Sequence, residues 1–156
     1  MNPKITPHLW FQTDAREVAN HYLGIFKSAK VIRSASFHDP TGAPCQLVII
    51  TLNGMELMLL SAKADFRLND AFSLVVSCHT QEELDYYWTQ LTADGGREVM
   101  CGWLTDKFGL SWQIVPDFMD DMMCDPDPER FRRVSEVVFR SVKFDFAELQ
   151  KAYRGI

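Results

Sequence analysis

A single glutamate interrupts a strongly apolar stretch of the sequence. Glu56 lies within segment 55–60, where the other five residues are all methionine or leucine. An unpaired carboxylate costs several kcal/mol to bury, so this side chain either faces water or finds a partner. Exposure at a sheet edge would satisfy it, whereas a place in a solvent-filled cleft would suit a general base. Glu56 is therefore the candidate catalytic residue.

His8 and Trp10 occupy a second short apolar segment and are spaced to share one face of a strand. A histidine there can serve as a metal ligand, as a general base, or simply as a hydrogen-bonded residue of the strand. Trp10 lies on the same face and so lines any pocket that His8 faces. Trp112 directly precedes Gln113, and these two side chains are expected on opposite faces of a later strand.

The remaining reactive side chains indicate structure rather than catalysis. The four cysteines are widely separated without a Cys-x-x-Cys pair, which excludes the usual zinc and redox spacings. Cys101 has no histidine near it in the sequence, which favours a buried thiol over a nucleophile. A run of carboxylates after residue 116 lacks the alternating ligands and central glycine of a calcium loop. These carboxylates, interpreted as parts of a solvated helix and loop, are Asp117, Asp120, Asp121, Asp125, Asp127 and Glu129.

Turn and cap signals divide the chain into two copies of one pattern. The first copy shows a helix start at Asp14 and a hairpin at Asn53-Gly54, and the second shows a capping box at Thr80. Aligning Thr6 with Ser73 superimposes strand, cap and helix at an offset of 67 residues, which indicates a duplicated module. The predicted strands are 5–11, 31–37, 45–52, 55–60, 72–78, 98–104 and 110–115, and two final helices are predicted within 134–153.

Composition and charge set the class of protein. The chain has 156 residues and a mass of 17.9 kDa, which suits one domain with a full hydrophobic core. Its formal net charge of -5, from 16 basic and 21 acidic side chains, excludes a basic surface for nucleic acid. No apolar stretch approaches the length of a membrane span, and the first residues do not form a secretory leader. We therefore expect a cytoplasmic protein with reduced thiols that binds neither nucleic acid nor membrane.

Three stretches of the sequence together resemble one known family. They are Pro-His-Leu-Trp-Phe at 7–11, the Asn53-Gly54 hairpin, and segment 101–116, which opens Cys-Gly-Trp and ends Trp-Gln-Ile-Val-Pro. With the acidic segment that follows, this pattern resembles the PhnB-like proteins of the glyoxalase/bleomycin-resistance/extradiol-dioxygenase superfamily, also called vicinal oxygen chelate proteins. The resemblance covers nearly the whole chain.

The resemblance implies an α+β fold. Two paired βαβββ modules would form a curled mixed sheet around a cleft, with C-terminal helices added, usually in a homodimer. All of this would be a single glyoxalase-like domain over 1–156, with module one at about 3–62, module two at about 70–116 and a helical tail over 117–156. The superfamily mixes enzymes of several classes with pure binding proteins, so the fold alone does not decide the activity.

The resemblance also implies where a metal would bind. Active members of the superfamily hold a divalent cation with side chains from the first and last strands of each module. The matching positions here are Thr6 or His8, then Glu56, Ser73 and Gln113. Only His8 and Glu56 are good ligands, since serine is a poor one and Gln113 offers a neutral oxygen. We expect no firmly held cofactor, with His8, Glu56 and Gln113 as the candidate ligands if a divalent metal binds.

Three functions remain open at this point. The favoured one is binding of a small molecule in the cleft. The alternative is a metal-dependent lyase, isomerase or dioxygenase, in which Glu56 moves a proton beside the cation, and a third is dimerisation through the C-terminal helices without any ligand. Methyl transfer is not expected, because no Gly-x-Gly-x-Gly loop follows a strand to hold S-adenosylmethionine. The residues expected to line the cleft are His8, Trp10, Glu56, Met58, Ser73 and Gln113.

Overall fold

A computed structural model describes residues 5–156. The chain runs through the order β-α-β-β-β twice and then adds three helices, which confirms the α+β class and the two predicted modules. Two compact units result, one ending at Leu68 and the other spanning Asn69–Ile156. The elements are β1 (His8–Phe11), α1 (Ala15–Ile25), β2 (Lys30–His38), β3 (Pro44–Leu52), β4 (Met55–Ser61), β5 (Ser73–Cys78), α2 (Gln81–Thr92), β6 (Arg97–Glu98), β7 (Trp103–Thr105), β8 (Ser111–Pro116), α3 (Met119–Met123), α4 (Pro128–Arg140) and α5 (Phe146–Arg154).

The sheet of the first unit has the strand order β1-β4-β3-β2. Strands β1 and β4 are parallel, and the other two pairs are antiparallel. The predicted hairpin closes β3 onto β4, with Asn53 and Gly54 at φ values of 46° and 91°, as a turn with two left-handed residues requires. Helix α1 buries Val18, Ala19 and Tyr22 completely, and these side chains belong to the core beneath one face of the sheet. The opposite face is left without a helix from its own unit.

The sheet of the second unit repeats this topology in the order β5-β8-β7-β6, again with its first pair parallel. Helix α2 packs on the face that carries Leu74, Trp112 and Ile114. Its amino terminus is capped by the Thr80 hydroxyl, which accepts from the Glu83 backbone N–H at 3.2 Å. The N-cap was therefore predicted at the right residue, but the Glu83 carboxylate accepts from the backbone N–H of His79 rather than from that of Thr80.

The strand predicted over 98–104 is wrong as a single element, because it is broken into β6 and β7. Cys101 and Gly102 adopt φ values of 61° and 76°, which a strand does not allow. Their N–H groups donate to the carbonyls of Ser141 and Val142 at 2.7 and 2.8 Å instead of joining the sheet. The chain therefore turns here and docks against the tail.

Helix α4 begins at Pro128, six residues before the predicted boundary. The Asp127 carboxylate accepts from the N–H groups of Glu129 and Arg130, and proline suits the first helical turn because its missing N–H is not needed there. Arg133 donates to the carbonyls of Ala152 and Tyr153, which joins α4 to the end of α5. No helix within residues 5–156 is long and apolar enough to cross a membrane.

Candidate functional site

Four of the predicted site residues lie on the uncovered face of the first sheet. His8 pairs with Met58 across the parallel strands β1 and β4, and Trp10 pairs with Leu60. Because side chains alternate along a strand, Glu56 shares the face of Met58, and Trp10 shares that of His8. The intervening Leu57 and Leu59 are fully buried on the other side, toward α1. We call this side of the sheet, which no helix within residues 5–68 covers, the open face of unit 1.

The floor of this open face is apolar. Ile49 of β3 lies opposite Met58, and Leu47 lies opposite Leu60. At the other end of the face Thr51 lies opposite Glu56, so the polar residues are confined to one end. The open face is therefore polar at the Glu56 end of β4 and apolar along the rest of that strand.

The carboxylate of Glu56 is half-buried and has no partner among residues 5–156. No residue in the range 5–156 forms a hydrogen bond or ion pair with it. Strand β4 lies between β1 and β3, so exposure at a sheet edge does not explain why a charge is tolerated here. Lys30 stands in the same row, opposite Thr51, but two strands away at a spacing of about 10 Å, and it makes no contact with Glu56.

An aromatic corner closes the far end of the open face. The rings of Trp10 and Phe66 meet edge to face, with centroids 5.0 Å apart and an interplanar angle of 81°. Phe66 is held there because the Gln12 side-chain amide donates to the carbonyls of Ala64 and Phe66, each at 2.8 Å. The position of Phe66 could not be predicted from the sequence, because this residue stands in a segment without helix or strand pattern. Its aromatic side chain was the one feature that could have marked it as a candidate site residue.

His8 lies beside this corner and is exposed. Its ring centroid is 6.3 Å from that of Trp10, at an angle of 42°. It forms no hydrogen bond with any residue that the structure describes. Its nitrogens remain available to a ligand.

The second unit places Ser73 and Gln113 together on the corresponding face of its own sheet. The Gln113 side-chain amide donates to the Ser73 hydroxyl at 2.9 Å. Trp112 points the other way, as predicted, and donates from its indole nitrogen to the buried carboxylate of Asp106 at 2.8 Å. Sequence reasoning missed Thr105 on this face, whose hydroxyl is buried without a partner among residues 5–156.

The donor set does not fit a transition-metal site. No three His, Cys, Asp or Glu side chains in the described range 5–156 are arranged to hold a metal ion. The first unit supplies His8 and Glu56, and the second supplies only the neutral carbonyl oxygen of Gln113, whose NH2 group donates to Ser73. Metal centres of this kind need at least three protein ligands. Thr6 precedes β1, and its hydroxyl is a poor ligand.

A second pair of ionisable groups lies in the second unit and was not predicted. The ring nitrogen Nδ1 of His79 is 2.6 Å from a carboxylate oxygen of Asp117. This hydrogen bond, strengthened by the negative charge of Asp117, raises the pKa of the His79 imidazole. Burial, with smaller contributions from Glu83 and Asp117, raises the pKa of the adjacent Cys78 thiol to about 12. Cys78 is therefore not an activated nucleophile.

Comparison with known proteins assigns the family. Residues 3–115 match the profile of the family described as 3-demethylubiquinone-9 3-methyltransferase. The solved structure of a putative 3-demethylubiquinone-9 3-methyltransferase, PhnB protein, from Bacillus cereus is 30% identical, with 72% of this chain and 99% of that chain covered and a TM-score of 0.62. This chain belongs to the PhnB-like family. The resemblance found in the sequence is thereby confirmed.

More distant structures share the fold of this PhnB-like protein. Protein PA1353 from Pseudomonas aeruginosa is 17% identical over 74% of this chain and 98% of its own, with a TM-score of 0.56. The fosfomycin resistance protein FosX from Listeria monocytogenes is 14% identical over 80% of this chain and 99% of its own, with a TM-score of 0.52. At these identities, both structures are similar to the PhnB-like protein in fold alone. No curated protein matches its sequence.

Proposed function

We propose that this PhnB-like protein binds a small organic molecule on the open face of unit 1, where His8, Trp10, Glu56 and Met58 line the site. The observation that carries the proposal is the carboxylate of Glu56, which is half-buried on an interior strand and has no partner among residues 5–156. A charge kept beside an apolar floor without an internal partner is costly to the fold, and such sites are commonly functional. The aromatic corner of Trp10 and Phe66 supplies the apolar wall that ligand sites usually have.

The corresponding face of the second unit adds a separate set of hydrogen-bonding groups to this proposal. Ser73 and Gln113 are already paired with each other, which leaves the Gln113 carbonyl oxygen and the Thr105 hydroxyl to meet a ligand or water. These groups are neutral, so they suit recognition of a polar molecule better than retention of a cation.

Catalysis through a metal is less well supported than binding. A lyase, isomerase or dioxygenase would need the cation to be held by His8, Glu56 and Gln113, and this donor set falls short as described above. Methyl transfer, the activity in the family description, is also poorly supported, because the sequence has no Gly-x-Gly motif at all. Glu56 remains the candidate general base if a bound molecule is turned over.

We also propose a homodimer located in the cytoplasm. The support for a dimer is β2, which lies at the edge of its sheet and carries the exposed apolar side chains of Val31, Ile32 and Phe37. The support for a reducing compartment is that all four cysteines are free thiols. Sedimentation at two ionic strengths would test the dimer.

Native mass spectrometry of protein purified without chelators tests the binding proposal. A small molecule should be retained by the wild type and by the control Glu17→Gln, which alters an exposed carboxylate on α1, and lost from Met58→Arg. A ligand retained equally by all three proteins would refute binding on the open face of unit 1. Stoichiometric metal that disappears from the double variant His8→Ala, Glu56→Gln would support the metal-dependent alternative instead.

A further inference from the structure

The open face of unit 1 also specifies the class of molecule that fits it. We propose that its ligand is an elongated organic cation, an alkyl or arylalkyl amine, whose ammonium group pairs with Glu56 while its apolar end packs on Trp10 and Phe66. This inference rests on the proposed function, since it names the ligand class of that same face.

The charge of the ligand follows from Glu56. Its carboxylate has no hydrogen bond or ion pair within residues 5–156, although it is half-buried on an interior strand. A carboxylate in this position gains most from a partner that brings positive charge and N–H donors together. An ammonium group provides both.

The length of the ligand follows from the strand pairing. Trp10 lies opposite Leu60, four residues beyond Glu56 along β4. At roughly 3.3 Å per residue, the carboxylate and the aromatic corner are separated by about 13 Å. The two terminal contacts take up roughly 3 to 4 Å each, so an apolar chain of roughly six carbon atoms spans the remainder.

The apolar character of the chain follows from the floor between the two ends. Met58 of β4 and Ile49 and Leu47 of β3 are partly exposed there, whereas Leu60, which lies opposite Trp10, is buried. None of these four side chains offers a hydrogen-bond donor. A polar chain would lose its bonds to water here without replacement, whereas an aliphatic chain would be stabilised by burial.

The aromatic corner is formed before the ligand arrives. Two hydrogen bonds from Gln12 hold the segment that carries Phe66, and the ring still remains 62% exposed. A large aromatic side chain fixed at the surface in this way offers contact area with little loss of conformational freedom on binding.

Two cationic side chains on β2 lie on the same face of the sheet as Glu56. They suggest the main alternative, which is an anionic ligand. Lys30 lies opposite Thr51, and Arg33 lies opposite Ile49, so an anionic molecule could use them instead. Such a molecule would be repelled by Glu56, which is closer to the middle of the sheet. Neither cation contacts Glu56, so no residue in the range 5–156 neutralises this carboxylate. The choice between cation and anion is therefore decided by measurement with matched chains.

Isothermal titration of the full chain with hexylamine, hexanol and hexanoate compares a cationic, a neutral and an anionic head on one chain length. We expect hexylamine to bind at least about tenfold more tightly than hexanol, and hexanoate to bind more weakly still. Glu56→Gln should reduce hexylamine binding to the level of hexanol without changing hexanol itself, and Glu17→Gln should change neither. Phe66→Ala should weaken hexylamine and hexanol by a similar factor, and Lys30→Met should leave hexylamine binding unchanged or tighter.

The outcomes separate this inference from the function beneath it. Equal binding of the three heads, preference for hexanoate, or an unchanged affinity in Glu56→Gln would each overturn the cation assignment. If Phe66→Ala still weakens the binding of the hexyl compounds in that case, the open face of unit 1 binds small molecules and only the proposed ligand class is wrong. Absence of hexylamine binding also overturns the inference, while the native mass spectrometry described above tests the function independently.

Discussion

The imidazole of His79 and the carboxylate of Asp117 are 2.6 Å apart although 38 positions separate them in the sequence. They meet because β5 and β8 are parallel, with Cys78 opposite Pro116, so each residue follows the same end of a neighbouring strand. Helix α2 begins just after His79, whose backbone N–H donates to the Glu83 carboxylate. The pair thus connects the start of α2 with the end of β8.

Asp117→Asn should lower the pKa of His79. The charged hydrogen bond to Asp117 is the main reason that this pKa is raised above the ordinary value of 6.5. Since the folded-state pKa is the higher one, the pair stabilises the fold fully below pH 6.5 and loses that effect as the pH rises through the folded-state value. A two-dimensional NMR titration of the imidazoles in both proteins measures the shift, and an unchanged His79 curve would contradict it.

Gly102→Ala should destabilise the protein more than Gly109→Ala. Both glycines have a left-handed φ, so alanine costs about 1 kcal/mol at either position. At Gly102 an added Cβ would also lie 2.3 Å from the Phe144 ring, whereas nothing lies within 4 Å at Gly109. Overpacking adds about 1 to 3 kcal/mol. Denaturant unfolding of the two variants gives the difference directly, and equal losses would show that Phe144 moves aside freely.

Thr105→Val should leave the protein equally stable or stabilise it by up to about 1 kcal/mol, because a buried hydroxyl without a partner is replaced by a methyl group of similar size. The control is Ser111→Ala, which removes a hydroxyl that donates to Asp70 at 2.9 Å and should cost about 1 kcal/mol. Thermal unfolding distinguishes the two. A loss of stability in Thr105→Val would mean that a water molecule or a ligand normally bonds to this hydroxyl.

Cys78 should resist alkylation in the folded protein. Burial raises its pKa to about 12, so at mildly alkaline pH almost none of it is thiolate, and its side chain is also inaccessible. Cys124 is exposed and should be modified first by iodoacetamide. Peptide mass spectrometry after brief labelling gives the order, with denatured protein as the control in which all four cysteines react. Early modification of Cys78 would indicate that the second unit opens readily.

Features encoded by neighbouring residues were predictable from the sequence. Asn53-Gly54 closes the hairpin where expected, and Thr80 caps α2, because both signals depend on residues within one turn of the chain. The apolar setting of Glu56 is also visible in the sequence, and it predicts that this carboxylate faces water or finds a partner. Its interior strand could not be predicted from that segment alone, since strand order depends on β1 pairing parallel to β4.

Features that depend on distant partners were not predictable in the same way. The break at Cys101 and Gly102 depends on carbonyls about 40 residues later in the chain. The aromatic corner depends on Gln12, which bonds to carbonyls 52 and 54 residues away. No periodicity in a single sequence carries such information, because hydrophobic patterns report which face is buried and not what covers it.

The contact between the tail and the Cys101–Gly102 turn determines where the boundary of the folded domain lies. The family match ends at residue 115, yet two backbone N–H groups inside the matched region depend on carbonyls at Ser141 and Val142, and Phe144 fills the space that Gly102 leaves. A fragment cut at the family boundary would expose these groups and lose that ring. The tail after residue 115 is therefore part of the folding unit. A homologue without such a tail must supply other acceptors for the two N–H groups of this turn.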